Sequence, residues 1–256
     1  MLRLLLLLAF TSSALCGQFT TSDVATRALG GTGLAREGGG AVWTSPAGIA
    51  YTTAPAARAT VEQRFGLAEL QLTSLAASFS GGLGVRLSHY GYAGFSSTLV
   101  DGLYARRLTD RLALGIALGV HRIRPPQHAP QHSLRTGMGV QYRVSERLRA
   151  GAVWRRDRTD LIGNSYACGV SYRPSELIDL SAELHFAAER GLHGRFGVSY
   201  QPVDVVVLRL GLNTAASELS GGIGYRLFQR WEVAVAVAYH EQLGISPLAG
   251  LILHPD

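Results

Sequence analysis

The sequence predicts an all-β chain closed into a single transmembrane antiparallel β-barrel of about fourteen strands. Three observations carry that expectation. From about residue 57 onward, large apolar residues alternate with Gly, Ala and isolated polar residues, which is the two-residue period of a strand. No helical period and no later apolar run of transmembrane length interrupts the alternation. Short polar turns take their place along the chain in regular exchange with other, often longer, connections, the habit of bacterial outer-membrane barrels.

The first element is a leader. Met1-Leu2-Arg3 precedes an apolar run from Leu4 to Phe10, and small residues follow at Thr11 to Ala14. This is the layout of a secretory signal peptide over residues 1–17, with cleavage near Cys16 to Gln18. The apolar run is too short to span a bilayer as a helix. Leu15 stands where lipid attachment at Cys16 would need a small residue. Once the leader is removed, Cys168 is the only cysteine and no intrachain disulfide can form, so the sheet or the core must supply the stability. The net charge is +6 and every basic residue other than His is Arg. These arginines are scattered along strands and turns, which excludes the gathered basic patch of a nucleic-acid binder.

The strands follow. Leu112, Leu114, Ile116, Leu118 and Val120 share one face, against Ala113, Gly115, Ala117, Gly119 and His121. Leu180, Ala182, Leu184 and Phe186 oppose Ser181, Glu183, His185 and Glu189; Leu192, Phe196, Val198 and Tyr200 oppose His193, Arg195, Ser199 and Gln201. Trp231, Val233, Val235, Val237 and Tyr239 oppose Glu232, Ala234, Ala236, Ala238 and His240. A soluble sandwich would turn its second face to water with Lys, Glu, Thr and Ser. Here that face is Gly and Ala with isolated charges, which suits a crowded interior behind a lipid-facing wall. Cys168 falls on the lipid side with Tyr166 and Val170.

Short turns are expected at Ser80–Gly82, Thr109–Arg111, Ser145–Arg147, Pro174–Ile178, Pro202–Asp204 and Gln229–Arg230. Seven other connections fall near 66–70, 90–95, 125–131, 157–162, 189–191, 214–217 and 241–246. Six and seven connections join fourteen strands and leave both termini on the short-turn side, as an outer-membrane barrel requires. Phe79, Tyr142, Tyr172, Tyr200, Tyr225 and Trp231 lie close to the short turns, forming an aromatic girdle at one interface. The ending Leu253-His254-Pro255-Asp256 departs from the terminal aromatic residue common in such barrels.

The stretch ATRALGGTGLAREGGGAVWTSPAGIAY, from Ala25 to Tyr51, needs its own explanation. A phosphate-binding Walker loop needs a Lys, and the chain has none; Gly31-Thr32-Gly33 lacks the third Gly of a dinucleotide fingerprint. The stretch resembles the N-terminal signature of the FadL/PorV-like outer-membrane barrels. Arg27, Gly30, Gly31 and Gly33 match the first part of that signature. Pro46, Ala47, Gly48, Ile49 and Ala50 match the second, with Ser45 where the family usually has Asn. The run AYHEQLGISPLAGLIL near the C-terminus is similar to the ending of Bacteroidetes-type, PorV/PorQ-like relatives.

The resemblance implies that residues 18–56 form a plug inside the lumen of a barrel spanning 57–256. Gly allows the close backbone approach a plug needs, and inward Gly115, Gly119, Gly137, Gly139, Gly169, Gly197 and Gly224 offer space in return. Pro46 sets a turn, and Ser45 is expected to bond nearby backbone in place of Asn. Val42, Trp43, Ile49 and Tyr51 carry more apolar surface than a linker. For function, the resemblance implies either passive, porin-like transport of small hydrophobic molecules across the bacterial outer membrane or a type IX secretion-associated scaffold that docks a protein partner. In the second case Trp43 and the Pro125–Gln131 loop are the docking candidates. Outer-membrane lipid is the common partner of both readings.

No enzyme chemistry, metal site or cofactor site is legible. Glu183 and Glu189 are about six residues apart on one strand, roughly 20 Å, too far for a glycosidase pair. His128 and His132 are separated by Pro130, so no helical metal site follows. The inward charges and histidines are the functional candidates: Arg135, Arg143, Glu183, His185, Arg195, Arg209, Arg226, Glu232 and His240. Unpaired charge in a narrow lumen is costly, so these groups are expected to pair with one another and with the plug.

Overall fold

The computed structural model describes residues 22–92, 94–157, 163–187, 191–228 and 230–254. The signal-peptide expectation and Glu189 fall outside the described residues. Fourteen strands form a closed barrel in which each pairs with its neighbours in the chain and the first meets the last. They are β1 (Ala56–Gln63), β2 (Gln71–Phe79), β3 (Leu83–Tyr92), β4 (Phe95–Arg107), β5 (Leu112–Arg124), β6 (Gln131–Arg143) and β7 (Leu148–Asp157). Then come β8 (Asn164–Ser175), β9 (Ile178–Ala187), β10 (Gly191–Val203), β11 (Val206–Asn213), β12 (Glu218–Leu227), β13 (Trp231–His240) and β14 (Gly244–Leu253). All pairings are antiparallel, and β1 joins β14 from Ala57↔Leu253 to Glu62↔Leu248. Closure leaves no edge with unpaired backbone groups, the condition for a sheet to stand in lipid. No helix among the described residues is long and apolar enough to cross a membrane.

The alternation sorts the side chains as the pattern predicts. On β5, Leu114, Ile116, Leu118 and Val120 are exposed on the outer wall while Ala113 and Ala117 are buried within. On β13, Val233, Val235 and Val237 face outward and Glu232, Ala234, Ala236 and Ala238 are buried. Cys168 is on the outer face. The six aromatic residues near the short turns are exposed. A second outward set, Tyr92, Tyr166, Phe186 and Tyr239, is exposed near the opposite rim, so both ends carry residues suited to a membrane interface.

Two expected turns are tighter than the prolines imply. β8 runs on through Pro174 to Ser175, and β10 through Pro202 to Val203, each with a break in pairing register just there. Proline lacks the N–H a ladder needs, and a strand accommodates it at a bulge. The hairpin turns are therefore only Glu176-Leu177 and Asp204-Val205.

Ahead of the barrel, a short helix α1 (Val24–Ala28) and two 3-10 turns, Gly38–Ala41 and Ala47–Tyr51, make up most of the N-terminal segment. Asp23 starts α1 by accepting a hydrogen bond from the Thr26 N–H at 2.6 Å, the usual stabilisation of a free helix end. The first strand begins at Ala56, one residue before the expected boundary.

Candidate functional site

Inward side chains from strands all round the barrel converge on residues 22–52, which places the N-terminal segment in the interior. Three sets of contacts hold it. The first fixes α1. Val24, Ala25 and Ala28 pack on Ala234, Ala236, Ala238, Leu248 and Ile252. The Val24 N–H donates to Thr60 Oγ1 at 3.0 Å, and Arg58 donates to the second Asp23 oxygen at 2.5 Å. Arg27 grips both oxygens of Glu218, with Oε2 at 2.7 Å, and lies 3.4 Å from Glu62. Burial opposes the charge on Arg27, but Glu62 and Glu218 outweigh it and push the guanidinium above its ordinary value. Burial likewise opposes ionisation of Asp23; Arg58 and the Thr26 N–H win, and its carboxyl sits below the usual range.

The second set holds the glycine turn. Gly30, Gly31 and Gly33 have φ of 68°, 81° and 147°, values that only glycine adopts without strain. The Gly30 N–H donates to Ser220 Oγ at 3.0 Å, and Arg195 donates to the Gly31 carbonyl at 3.2 Å. Glu183 Oε1 accepts from two successive backbone N–H groups, Gly33 at 2.5 Å and Leu34 at 2.7 Å. Its Oε2 lies 2.8 Å from His185 Nε2, and His185 stacks on His193 at 5.4 Å. A Cβ on Gly30 would lie 2.7 Å from the Leu212 backbone nitrogen. Gly33, by contrast, faces Thr44 of its own segment rather than the wall.

The third set engages residues 35–51. Gln141 donates to the Ala35 carbonyl at 3.0 Å. Arg143 binds Glu37 through both carboxylate oxygens, at 2.5 and 2.9 Å, and stands 3.9 Å over the Tyr51 ring. Arg86 donates to the carbonyls of Val42 and Trp43 while its Nε holds Asp101 at 2.6 Å, and Arg155 donates to the Thr44 carbonyl. Val42, Trp43 and Ile49 pack on Ala76, Leu103, Ala105 and Ala117. Pro46 lies against Gly139 and Gly115. A cavity of about 10 Å³ between Pro46, Arg86, Asp101, Arg135 and Arg155 has about the room that one water needs.

Most of the candidate residues therefore touch the segment or each other. Arg135 meets Asp101 at 3.3 Å. Arg209 and Glu232 pair at 2.6 Å, joined by His254 at 2.8 Å; the C-terminal His254 so completes a bond inside the wall. Arg226 and His240 stay outside this assembly. Arg226 donates to the Asp204 carbonyl at the short-turn rim, and His240 Nδ1 accepts from Gln242 and Leu243 in the last loop. Ala47 and Gly48 are enclosed within the segment, Gly48 against Ala41.

Three sequence expectations need correction. The Ser45 Oγ is buried without a hydrogen-bond partner among the described residues, so it does not take the place of an Asn side chain bonded to nearby backbone; it rests on Gly139, where the Gly leaves room for a small residue only. Trp43 is 4% exposed and offers no docking surface, because its ring is enclosed by the second to fifth strands. Of the seven inward glycines, Gly115, Gly139 and Gly197 meet the segment, whereas Gly119, Gly137, Gly169 and Gly224 make room chiefly for side chains or backbone of the barrel itself. Gly151, Gly211 and Gly250 also admit the segment. Sequence reasoning missed Asp23, Arg58, Glu62, Arg86, Asp101, Arg155 and Glu218. Their inward parity was available on β1, β3, β4, β7 and β12, and Asp23 three residues before Thr26 has the spacing of a helix cap.

A closed antiparallel barrel with an apolar outer wall, aromatic rims and a polar, occupied interior has the build of an outer-membrane β-barrel. No family model matches the chain, and no curated protein matches it either. Solved structures do share the fold. The Ralstonia pickettii toluene transporter TbuX aligns at a TM-score of 0.72 and 12% identity, covering 93% of this chain and 100% of that one. The Pseudomonas putida toluene transporter TodX aligns at 0.62 and 9% identity, covering 92% and 97%. A Pseudomonas aeruginosa FadL homologue aligns at 0.61 and 11% identity, covering 91% and 95%. The chain thus has the fold of FadL-type hydrocarbon channels.

Proposed function

We propose that this protein is a passive transporter of small hydrophobic molecules in the bacterial outer membrane, closed at rest by its N-terminal segment acting as a plug. The observation that carries the reading is the packing of Val42, Trp43 and Ile49 on Ala76, Leu103, Ala105 and Ala117. It is an apolar seam between the segment and the wall, bordered by the ion pairs and hydrogen bonds of Arg86, Arg143 and Arg155. An apolar solute entering the lumen would gain contact at this seam, where the segment's bulkiest apolar side chains meet the wall. The shared fold supports the same reading, since its members include toluene transporters. The outward apolar band and the two aromatic rims support a membrane location. A type IX secretion scaffold is the weaker alternative, because burial of Trp43 removes one of its two docking candidates.

Purified protein in detergent should bind a fluorescent apolar probe saturably, and Leu103→Glu should abolish that binding. Absence of saturable binding to aromatic and acyl probes alike would count against transport. Co-purification of a stable protein partner from native membranes would favour the scaffold.

A further inference from the structure

One row of the sheet register runs through Arg86 of β3, Asp101 of β4, Gly119 of β5 and Arg135 of β6, each directly opposite the next. Gly119 has no side chain, so Asp101 and Arg135 reach across it and meet at 3.3 Å. Arg86 holds the same Asp101 oxygen at 2.6 Å. Arg155 of β7 lies two positions along the ladder, opposite Gly137. The three arginines and Asp101 line the cavity of about 10 Å³, together with Pro46 of the N-terminal segment.

The charges around this cavity do not balance. Asp101 is the one acid of its lining, against three arginines. Arg155 gives its hydrogen bond to an uncharged acceptor, the Thr44 carbonyl, and forms no ion pair among the described residues. Counting Asp157, which pairs with Arg135 in the register, as a second acid still leaves one cation over. Glu183 is engaged elsewhere, by the Gly33 and Leu34 N–H groups and by His185. Asp101 has no oxygen to spare for the cavity either: Oδ2 takes Arg86 and Arg135, and Oδ1 rests on Gly119, which is not part of the lining. A guanidinium left uncompensated inside a protein carries a desolvation cost that an opposite charge offsets.

We propose that the cavity holds a monatomic anion of the halide class, bound between Arg155, Arg135 and Arg86. Size selects the class. A space that takes one water admits an ion little larger than water, whereas a phosphate or an organic carboxylate is too bulky for it. Bound there, the halide compensates Arg155 and so supports its bond to the Thr44 carbonyl, next to the turn at Ser45 and Pro46. Halide then tightens the N-terminal segment, whereas salt in general weakens ion pairs by screening. The inference rests on the segment's place inside the lumen but not on transport.

Trp43 provides the readout, because its ring lies 6.0 Å from the Arg86 guanidinium and bromide quenches indole fluorescence at short range. Full-length W154F/W231F protein in detergent is titrated with sodium bromide, exchanged for sodium gluconate at constant ionic strength. Quenching of Trp43 should saturate. Arg155→Leu should raise the half-saturating bromide concentration about tenfold, the loss of one charged hydrogen bond. Asp101→Asn should lower it several-fold, because a repelling negative charge is gone. Arg173→Gln, which touches Asp179 near the short-turn rim, should leave it unchanged. If Arg155→Leu fails to fold, the parent titration and the opposite shift in Asp101→Asn still decide. Quenching that rises linearly with bromide, as for a cavity holding only water, overturns the proposal, and so does undiminished binding by folded Arg155→Leu. A protein that binds bromide here yet no apolar probe fails the transport reading alone.

Discussion

One oxygen of Glu183 serves two successive backbone N–H groups of the N-terminal segment. Removing that acceptor strands both donors in a buried site, at about 2 kcal/mol or more. Glu183→Leu should therefore loosen the segment and raise single-channel conductance in planar bilayers, with Glu183→Gln, which keeps one acceptor oxygen, giving a smaller rise. Unchanged conductance in the Leu variant would show that the turn is held by its other bonds. Asp23 supplies a pH dependence. Its carboxyl is depressed below the ordinary 3.8 by Arg58 and Thr26, against the penalty of burial. A depressed acid contributes stability that is complete above the unfolded value and is lost as pH falls through the folded one. Anchoring of α1 should accordingly hold at neutral pH and weaken only below about 3.8. Trp43 fluorescence should report the loosening, and Asp23→Asn should be loosened already at pH 7.

At the level of elements, the glycine turn and the wall fit as a matched pair of small surfaces. A Cβ on Gly211 of β11 would run into the backbone at Gly30, and one on Gly151 of β7 would lie 2.5 Å from the Leu34 carbonyl oxygen. Gly211→Val should leave strand pairing intact, since valine suits a strand, yet displace the turn and open the lumen. Gly102→Ala is the control, because its new methyl faces outward and meets nothing closer than 3.9 Å. Equal conductance in the two variants would refute the close fit. Much at this scale was legible beforehand. Alternation placed Leu114 and Val233 outside and Glu183 and Glu232 inside, and turn residues located every connection between strands. The pairing of Arg27 with Glu218 was not legible. The two are 191 positions apart, and nothing local to either residue specifies the other.

For the whole molecule, closure of the barrel and filling of its interior are separable. The strands satisfy their backbone groups among themselves, from β1 against β14 to every hairpin between. Membrane strands need nothing further for their hydrogen bonds. Deleting residues 26–50 should therefore leave a folded, heat-modifiable barrel whose conductance rises from near zero to a steady level. Large, stable currents through the intact protein would refute the plug while leaving the barrel untouched.

By itself the sequence determined the sheet: its faces, its hairpins, its even strand number and its interfacial aromatic residues. Each of these follows from periods of two residues and from turn chemistry, which are local properties of the chain. Only the tertiary structure decided which charges meet, that the Ser45 hydroxyl finds no hydrogen-bond partner among the described residues, and that Trp43 is enclosed. Those outcomes depend on the register between strands and on how closure brings β1 beside β14. Register and closure join residues that no local pattern relates, so side-chain partners appear only once the barrel has closed around its N-terminal segment.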